Sequence, residues 1–274
     1  MRIVFIGDIM GRSGREALKK YLPTIKDELE PDVIIVNGEN AANGRGITVK
    51  IAKEFYEWGV DCITTGNHVW DQREIIPYIA KEEKLLRPIN YPEGTAGSGT
   101  YVHQCENGQK VLIINAMARL FMDAMDDPFK MLRELVVQHK MGRDVDAIFI
   151  DFHGETTSEK MALGHHLAGK VSAVIGTHTH IPTADHHVME GGTAFMADAG
   201  MTGDYNTVIG MDKENSIRRF VQKTPGEYAK PGKEEATLCG CFILTSDKTG
   251  KAQSIQPIRM GEGGTLSATF PDRA

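Results

Sequence analysis

Short apolar runs alternate with amphipathic stretches through the first two-thirds of the chain. The runs at 2–7, 32–36, 61–64, 111–115, 146–151 and 171–176 predict β-strands. Apolar residues at helical spacing predict helices at about 14–29, 48–58, 126–140 and 158–168. In the first helix Leu18, Leu22, Ile25 and Leu29 recur on one face, with Ser13 before it as a candidate cap. The second begins at Thr48, and its Lys50 and Glu54 stand in an i, i+4 relation. Strands alternating with helices point to an α/β fold whose helices cover the sheet faces.

After residue 180 the texture changes. Residues 183–197, 236–245 and 252–259 read as strands, with the Gly-rich loop Asp198-Ala199-Gly200-Met201-Thr202-Gly203 between them. The Pro/Gly/Lys-rich segment 224–235 reads as a long exposed excursion. No repeat or low-complexity linker divides the chain. The expectation is one domain over 1–274, with two packed β-sheets and outer layers of helix.

Candidate chemistry sits where the strands end. Asp8 follows Ile3–Ile6, Glu39-Asn40 follows Val33–Val36, and Asn67-His68 follows Cys62–Thr64. His153 follows Ala147–Asp151, and His178-Thr179-His180 follows Val171–Ile175. In open α/β sheets, ligands gather outside the carboxyl ends of the strands. Any one of these residues has an ordinary explanation. Asp8 could cap a turn, Asn67 after Gly66 could be turn chemistry, and His153 could be a hydrogen-bonded structural histidine. Five in succession read as a two-metal hydrolytic centre. Two cations about 3.5–4 Å apart need a shared carboxylate and several terminal ligands. Glu39 suits the shared position, with Asp8 and His180 on one cation and Asn67, His153 and His178 on the other. Carboxylate, amide and imidazole donors without a thiolate suit Mn²⁺, Fe²⁺ or Zn²⁺.

Composition narrows the partners. At 274 residues the chain can bury a large core. Its 31 Lys+Arg against 37 Asp+Glu give a formal charge of −6, with no basic tract to hold long nucleic acid. A small phosphorylated substrate is still compatible, because bound cations reverse the local potential. Cys62, Cys105, Cys239 and Cys241 form no CxxC pair. Cys62 reads as a core residue, and Cys239 and Cys241 alternate along one strand face. No apolar stretch approaches the roughly 20 residues of a membrane span, and the N-terminal apolar run is short for a signal peptide. A soluble, cytoplasmic protein is expected, with an assembly of identical chains left open.

The ordered motifs resemble the calcineurin-like metallophosphoesterases, whose pattern is Asp-x-His, Gly-Asp, Gly-Asn-His, a lone His, then Gly-His-x-His. The matching positions are Asp8-Ile9-Met10, Gly38-Glu39-Asn40, Gly66-Asn67-His68, His153 and Thr177-His178-Thr179-His180. Two depart from the pattern, Met10 in place of a histidine ligand and Glu39 in place of Asp. With Gly7–Gly11, Gly38–Gly44 and Asp198–Gly203, they resemble one branch, the YmdB-like phosphodiesterases, over nearly the whole chain. The resemblance implies a four-layer α/β/β/α metallophosphoesterase sandwich. It also implies hydrolysis of cyclic nucleotides, 2′,3′-cyclic and by extension 3′,5′-cyclic, with two divalent ions per chain, iron or manganese.

A hydroxide bridging the two metals would attack phosphorus in line with the leaving oxygen. A ribose alkoxide leaves poorly, so a proton donor opposite the hydroxide helps, and His68 beside Asn67 is placed for that role. Met10 leaves the first metal short of an imidazole. A thioether is a soft ligand, so Asn40 is expected to coordinate there through its amide oxygen while Met10 packs nearby; the competing reading is an Asn bonded within its own turn. Arg45 either approaches a substrate phosphate or belongs to a plain turn. His165-His166 reads as a surface pair and His186-His187 as strand residues on opposite faces. The alternative functions are a phosphomonoesterase or 5′-nucleotidase on the same centre, and a regulatory nucleotide-binding protein.

Overall fold

A computed structural model describes residues 1–223, 229–261 and 265–272. Its elements begin with β1 (Arg2–Ile6), α1 (Gly11–Leu29), β2 (Val33–Asn37), α2 (Val49–Glu57), β3 (Cys62–Thr64) and α3 (Ile75–Ile79). Next come β4 (Thr100–Gln104), β5 (Lys110–Met117), α4 (Pro128–Gln138), β6 (Ala147–His153), α5 (Thr157–Leu167) and β7 (Ala173–Thr177). The chain continues with β8 (His187–Met189), β9 (Thr193–Met196), α6 (Lys213–Val221), β10 (Leu238–Thr245) and β11 (Ala252–Met260). One sheet has the order β11-β10-β1-β2-β3 and the other β4-β5-β6-β7-β9-β8.

Strand alternation explains the layers. Successive side chains of a strand point to opposite faces. Ile3 and Phe5 of β1 and Val33 and Ile35 of β2 meet Ile113, Phe149 and Ile175 of the other sheet. Phe5 and Phe149 lie with ring centroids 5.1 Å apart. Val4, Ile6, Ile34 and Val36 face the opposite way, onto Leu18, Leu22 and Ile25 of α1 and Phe55 of α2. On the far side, Ile148, Ile150 and Val174 pack on Leu132 of α4 and on Leu163 and Leu167 of α5. The result is the expected α/β/β/α sandwich. Both faces of each central strand are covered, which is why these strands read as continuous apolar runs. Removing one such ring, as in Phe149→Ala, costs about 3–5 kcal/mol.

Parallel pairing of β1 with β2 and of β2 with β3 sends three strand ends to one rim of the first sheet. Parallel β5, β6, β7 and β9 do the same in the second. Thr48 caps α2 as its position suggested, its Oγ1 accepting from Ile51 N at 3.2 Å.

Several expectations need correction. Ser13 does not cap α1; the helix starts at Gly11, and the buried Ser13 hydroxyl donates to Gly232 O. The single strand at 183–197 is a hairpin, β8 and β9, turned by Gly191 and Gly192 at φ 95° and 90°. His186 precedes that hairpin, and only His187 lies in a strand. Three elements escaped the sequence reading: α3, the edge strand β4 and α6. β4 is half-exposed, and α6 buries only Ser216, so neither carries a core-facing stripe. Of the excursion at 224–235, residues 224–228 lie outside the described residues.

Candidate metal centre

Four polar side-chain atoms converge where β2, β3, β6 and β7 end. His153 Nε2 lies 3.0 Å from Glu39 Oε1, 3.0 Å from Asn67 Oδ1 and 3.1 Å from His178 Nδ1. Glu39 and His153 are fully buried. Such closeness needs Gly66, where an added Cβ would lie 2.3 Å from both Glu39 Oε2 and the His153 ring. Among the described residues, Glu39, His153 and His178 are grouped as a candidate metal site, one donor atom of each lying within 4.8 Å of the others.

The first-metal candidates adjoin this group. The Asn40 amide sits 3.2 Å from Glu39 Oε1 and 3.2 Å from His180 Nε2, its nitrogen turned toward both. Asp8 is fully buried, and its Oδ2 accepts from His178 N at 3.0 Å. Its other oxygen, Oδ1, is buried with no hydrogen-bond partner. A desolvated carboxylate oxygen without a donor is costly, and burial raises the Asp8 pKa to about 6. That orphaned oxygen and the convergence on His153 fit cations held by hard and borderline donors.

Each imidazole is fixed by an outer partner. His153 Nδ1 lies 2.9 Å from Thr177 Oγ1, which in turn donates to Asp151 Oδ1 at 2.7 Å. Asp151 Oδ2 accepts from Asn37 Nδ2 at 2.9 Å and from Thr64 Oγ1. His178 Nε2 is 3.2 Å from Glu155 Oε2, and His180 Nδ1 is 2.8 Å from Ile209 O. These partners leave His153 Nε2, His178 Nδ1 and His180 Nε2 facing inward. Hydrogen bonds of this kind set the tautomer of metal-ligating histidines.

Charge in the protein alone follows the same arrangement. Burial opposes charge on both Glu39 and His153, yet each holds the other ionised, lowering the Glu39 pKa and raising that of His153. Burial, reinforced by the adjacent His153, lowers His178 to about 3. His178 therefore keeps its lone pair at neutral pH.

His68 borders the cluster through its backbone and turns its ring to Asp71. Its ring is partly exposed, with Nδ1 2.9 Å from Asp71 Oδ2. Its backbone N–H donates to Glu39 Oε2 at 3.2 Å. Met10 is buried against Gly44, Gly203 and Gly210, where added Cβ atoms would come within 2.6–2.9 Å of its side chain. Arg45 is exposed on the Asn43–Gly46 turn, its carbonyl accepting from Gln72.

A family model described as YmdB-like protein matches residues 4–258. The chain belongs to the YmdB-like family. One relative, the 2′,3′-cyclic-nucleotide 2′-phosphodiesterase of Bacillus subtilis, is 44% identical over 263 residues, covering 96% of this chain and 98% of the relative. A crystal structure of a hypothetical protein from Thermus thermophilus superposes with a TM-score of 0.89 at 38% identity, covering 96% of this chain and 100% of the other. A crystal structure described as that of a novel phosphatase from Mycoplasma pneumoniae gives 0.87 at 34% identity, covering 95% and 93%.

The sequence reading singled out the residues at the strand ends. It missed Asn37, Thr64, Asp151 and Thr177 as supports of the cluster. The signal available was a polar residue inside an apolar strand, since a buried carboxylate such as Asp151 needs partners. Glu155 and Lys160 gave no such signal. No helix among the described residues is long and apolar enough to cross a membrane.

Proposed function

We propose that this chain is a metal-dependent phosphodiesterase that opens 2′,3′-cyclic nucleotides, with 3′,5′-cyclic nucleotides as a wider substrate range. The observation that carries the reading is the convergence of Glu39, Asn67 and His178 on His153 Nε2, beside the partnerless Asp8 oxygen. The name of the Bacillus subtilis relative supports the substrate class. Asp8, Asn40 and His180 would hold one divalent ion, Asn67, His153 and His178 a second, and Glu39 both; iron or manganese suits the donors, and zinc also fits.

When bound, the two ions supply an acidified water as nucleophile and positive charge against the phosphoryl oxygens. The chain does the rest. The buried carboxylates and inward-facing imidazoles would fix the ion positions, and the Asn40 amide, whose nitrogen faces Glu39 and His180 here, would flip to present its oxygen. His68 holds a proton on Nε2 while Asp71 occupies Nδ1, and delivers it to the departing ribose oxygen. The hydrogen bond from His68 N to Glu39 ties the loop of the acid to the shared carboxylate. The chain acts as one domain, since ligands from both sheets meet only when the sheets are packed. Its four free cysteines suit a reducing cytoplasm.

The test is metal analysis of the purified protein alongside turnover of a 2′,3′-cyclic nucleotide, a 3′,5′-cyclic nucleotide, bis-p-nitrophenyl phosphate and a 5′-mononucleotide. Metal-dependent turnover, best on the 2′,3′-cyclic substrate by kcat/KM, supports the reading. A 5′-mononucleotide as best substrate would make this a phosphomonoesterase. Nucleotide binding without turnover would make it a regulatory protein.

A further inference from the structure

Lys160 is a lysine in the core. It lies on α5 at 1% exposure, and its Nζ donates to Thr177 O at 2.7 Å and to Asp198 Oδ2 at 3.0 Å. Asp198 is equally buried. Its Oδ2 also accepts from Thr179 N at 2.9 Å and Thr179 Oγ1 at 2.8 Å, and its Oδ1 accepts from Gly200 N at 2.9 Å. A buried ion pair is often no more stabilising than apolar side chains of the same volume. Packing alone therefore does not explain why a lysine occupies this position.

The backbone it grips offers a reason. Thr177 and Thr179 flank His178, and the segment bends through the left-handed region twice, at His178 with φ 101° and at His180 with φ 68°. Neither is a glycine, so both conformations are strained and persist only where surrounding contacts over-determine them. The pair supplies those contacts on one side, holding Thr177 through its carbonyl and Thr179 through its amide and hydroxyl. On the other side, Asp8 accepts from His178 N, and His180 O accepts from Met201 N and Tyr205 Oη.

We propose that Lys160 and Asp198 are positioning residues for the metal centre. Together they hold the 177–180 segment in the strained path that aims the two imidazoles inward, and so set cation affinity. This rests on the reading of the cluster as a metal centre. It goes beyond that reading by assigning affinity to a pair that touches neither substrate nor cation.

The experiment is calorimetric titration of the metal-stripped full-length protein with Mn²⁺, with the melting temperature measured on the same samples. Lys160→Met should weaken Mn²⁺ binding about 10–100-fold, the range for loss of outer-sphere support. The double variant Lys160→Met/Asp198→Asn removes the stranded carboxylate. It should regain thermal stability while its affinity stays low, which also covers failure of the single variant to fold. Thr193→Val is the control, because it breaks buried hydrogen bonds with Val171 O and Gly169 N in the same sheet; it should lower the melting temperature without changing affinity. Wild-type affinity in Lys160→Met or in the double variant overturns the proposal. So does an equal affinity loss in the control. A wild-type protein that binds no Mn²⁺, Fe²⁺ or Zn²⁺ would instead remove the metal reading itself.

Discussion

Glu39 Oε1 lies 3.0 Å from His153 Nε2, although Glu39 follows a strand of one sheet and His153 ends a strand of the other. The carboxylate is thus placed to neutralise charge delivered from both sides of the sandwich. Glu39→Gln keeps the volume and removes that charge. Activity on cyclic nucleotides should fall to near background, and metal content by elemental analysis should drop to one ion per chain or fewer. Two ions with normal turnover would take the shared role away from Glu39.

His68 is separable from the proposed ligands because its ring bonds Asp71. In His68→Ala both metals should stay bound while cleavage of a 2′,3′-cyclic nucleotide slows about 10²–10⁴-fold. The loss should be smaller on bis-p-nitrophenyl phosphate, whose leaving group hardly needs a proton. Equal losses on the two substrates would point to positioning in place of proton transfer.

Where the resembled motif has a histidine, this chain has Met10, and Asn40 is the proposed ligand in its stead. The Asn40 amide faces Glu39 and His180, while Met10 fills space against three glycines. Asn40→Ala should cost about one metal per chain, whereas Met10→Leu should leave stoichiometry and kcat nearly unchanged. A metal-loaded structure with Asn40 Oδ1 well beyond roughly 2.0–2.4 Å from the ion would remove it from the ligand set.

Removing metal should also be visible in stability. Without a cation, Asp8 keeps an unpartnered buried oxygen. A ligand at 100 times its Kd adds about 2.7 kcal/mol to the native state. In a chain of this size that is roughly 5–10 °C in melting temperature. Scanning calorimetry with and without a chelator measures it directly. An unchanged melting temperature after verified metal loss would mean that the folded chain binds the cation no more tightly than the unfolded one, which would remove the metal-centre reading.

The layer order and the strand-end cluster were legible in the sequence for the same reason. Buried parallel strands announce themselves as apolar runs, and a polar residue just past such a run stands out. Asp8, Glu39 and His153 are visible that way. The supports were harder to read, because a polar residue in a strand shows that a partner exists and not which one. Asp151 and Thr177 acquire meaning only when β6 and β7 pair and bring them beside His153. Lys160 gave no sign, since a lysine on an amphipathic helix normally faces water. Ser13 misled for a related reason: a residue suited to capping stands inside the first turn, using its hydroxyl on a distant carbonyl.

The cluster also has a bearing on quality control during folding. Its donors are contributed by both sheets, and side-chain direction inverts with every residue along a strand. A slip of one position in β2 or β6 would turn the whole run of that strand to the other face. Such a chain could still collapse around much of its apolar surface, but its donors would no longer converge. On the proposed reading, cation uptake would therefore report on registration as well as on chemistry. Only a chain with both sheets in register would then assemble the proposed centre.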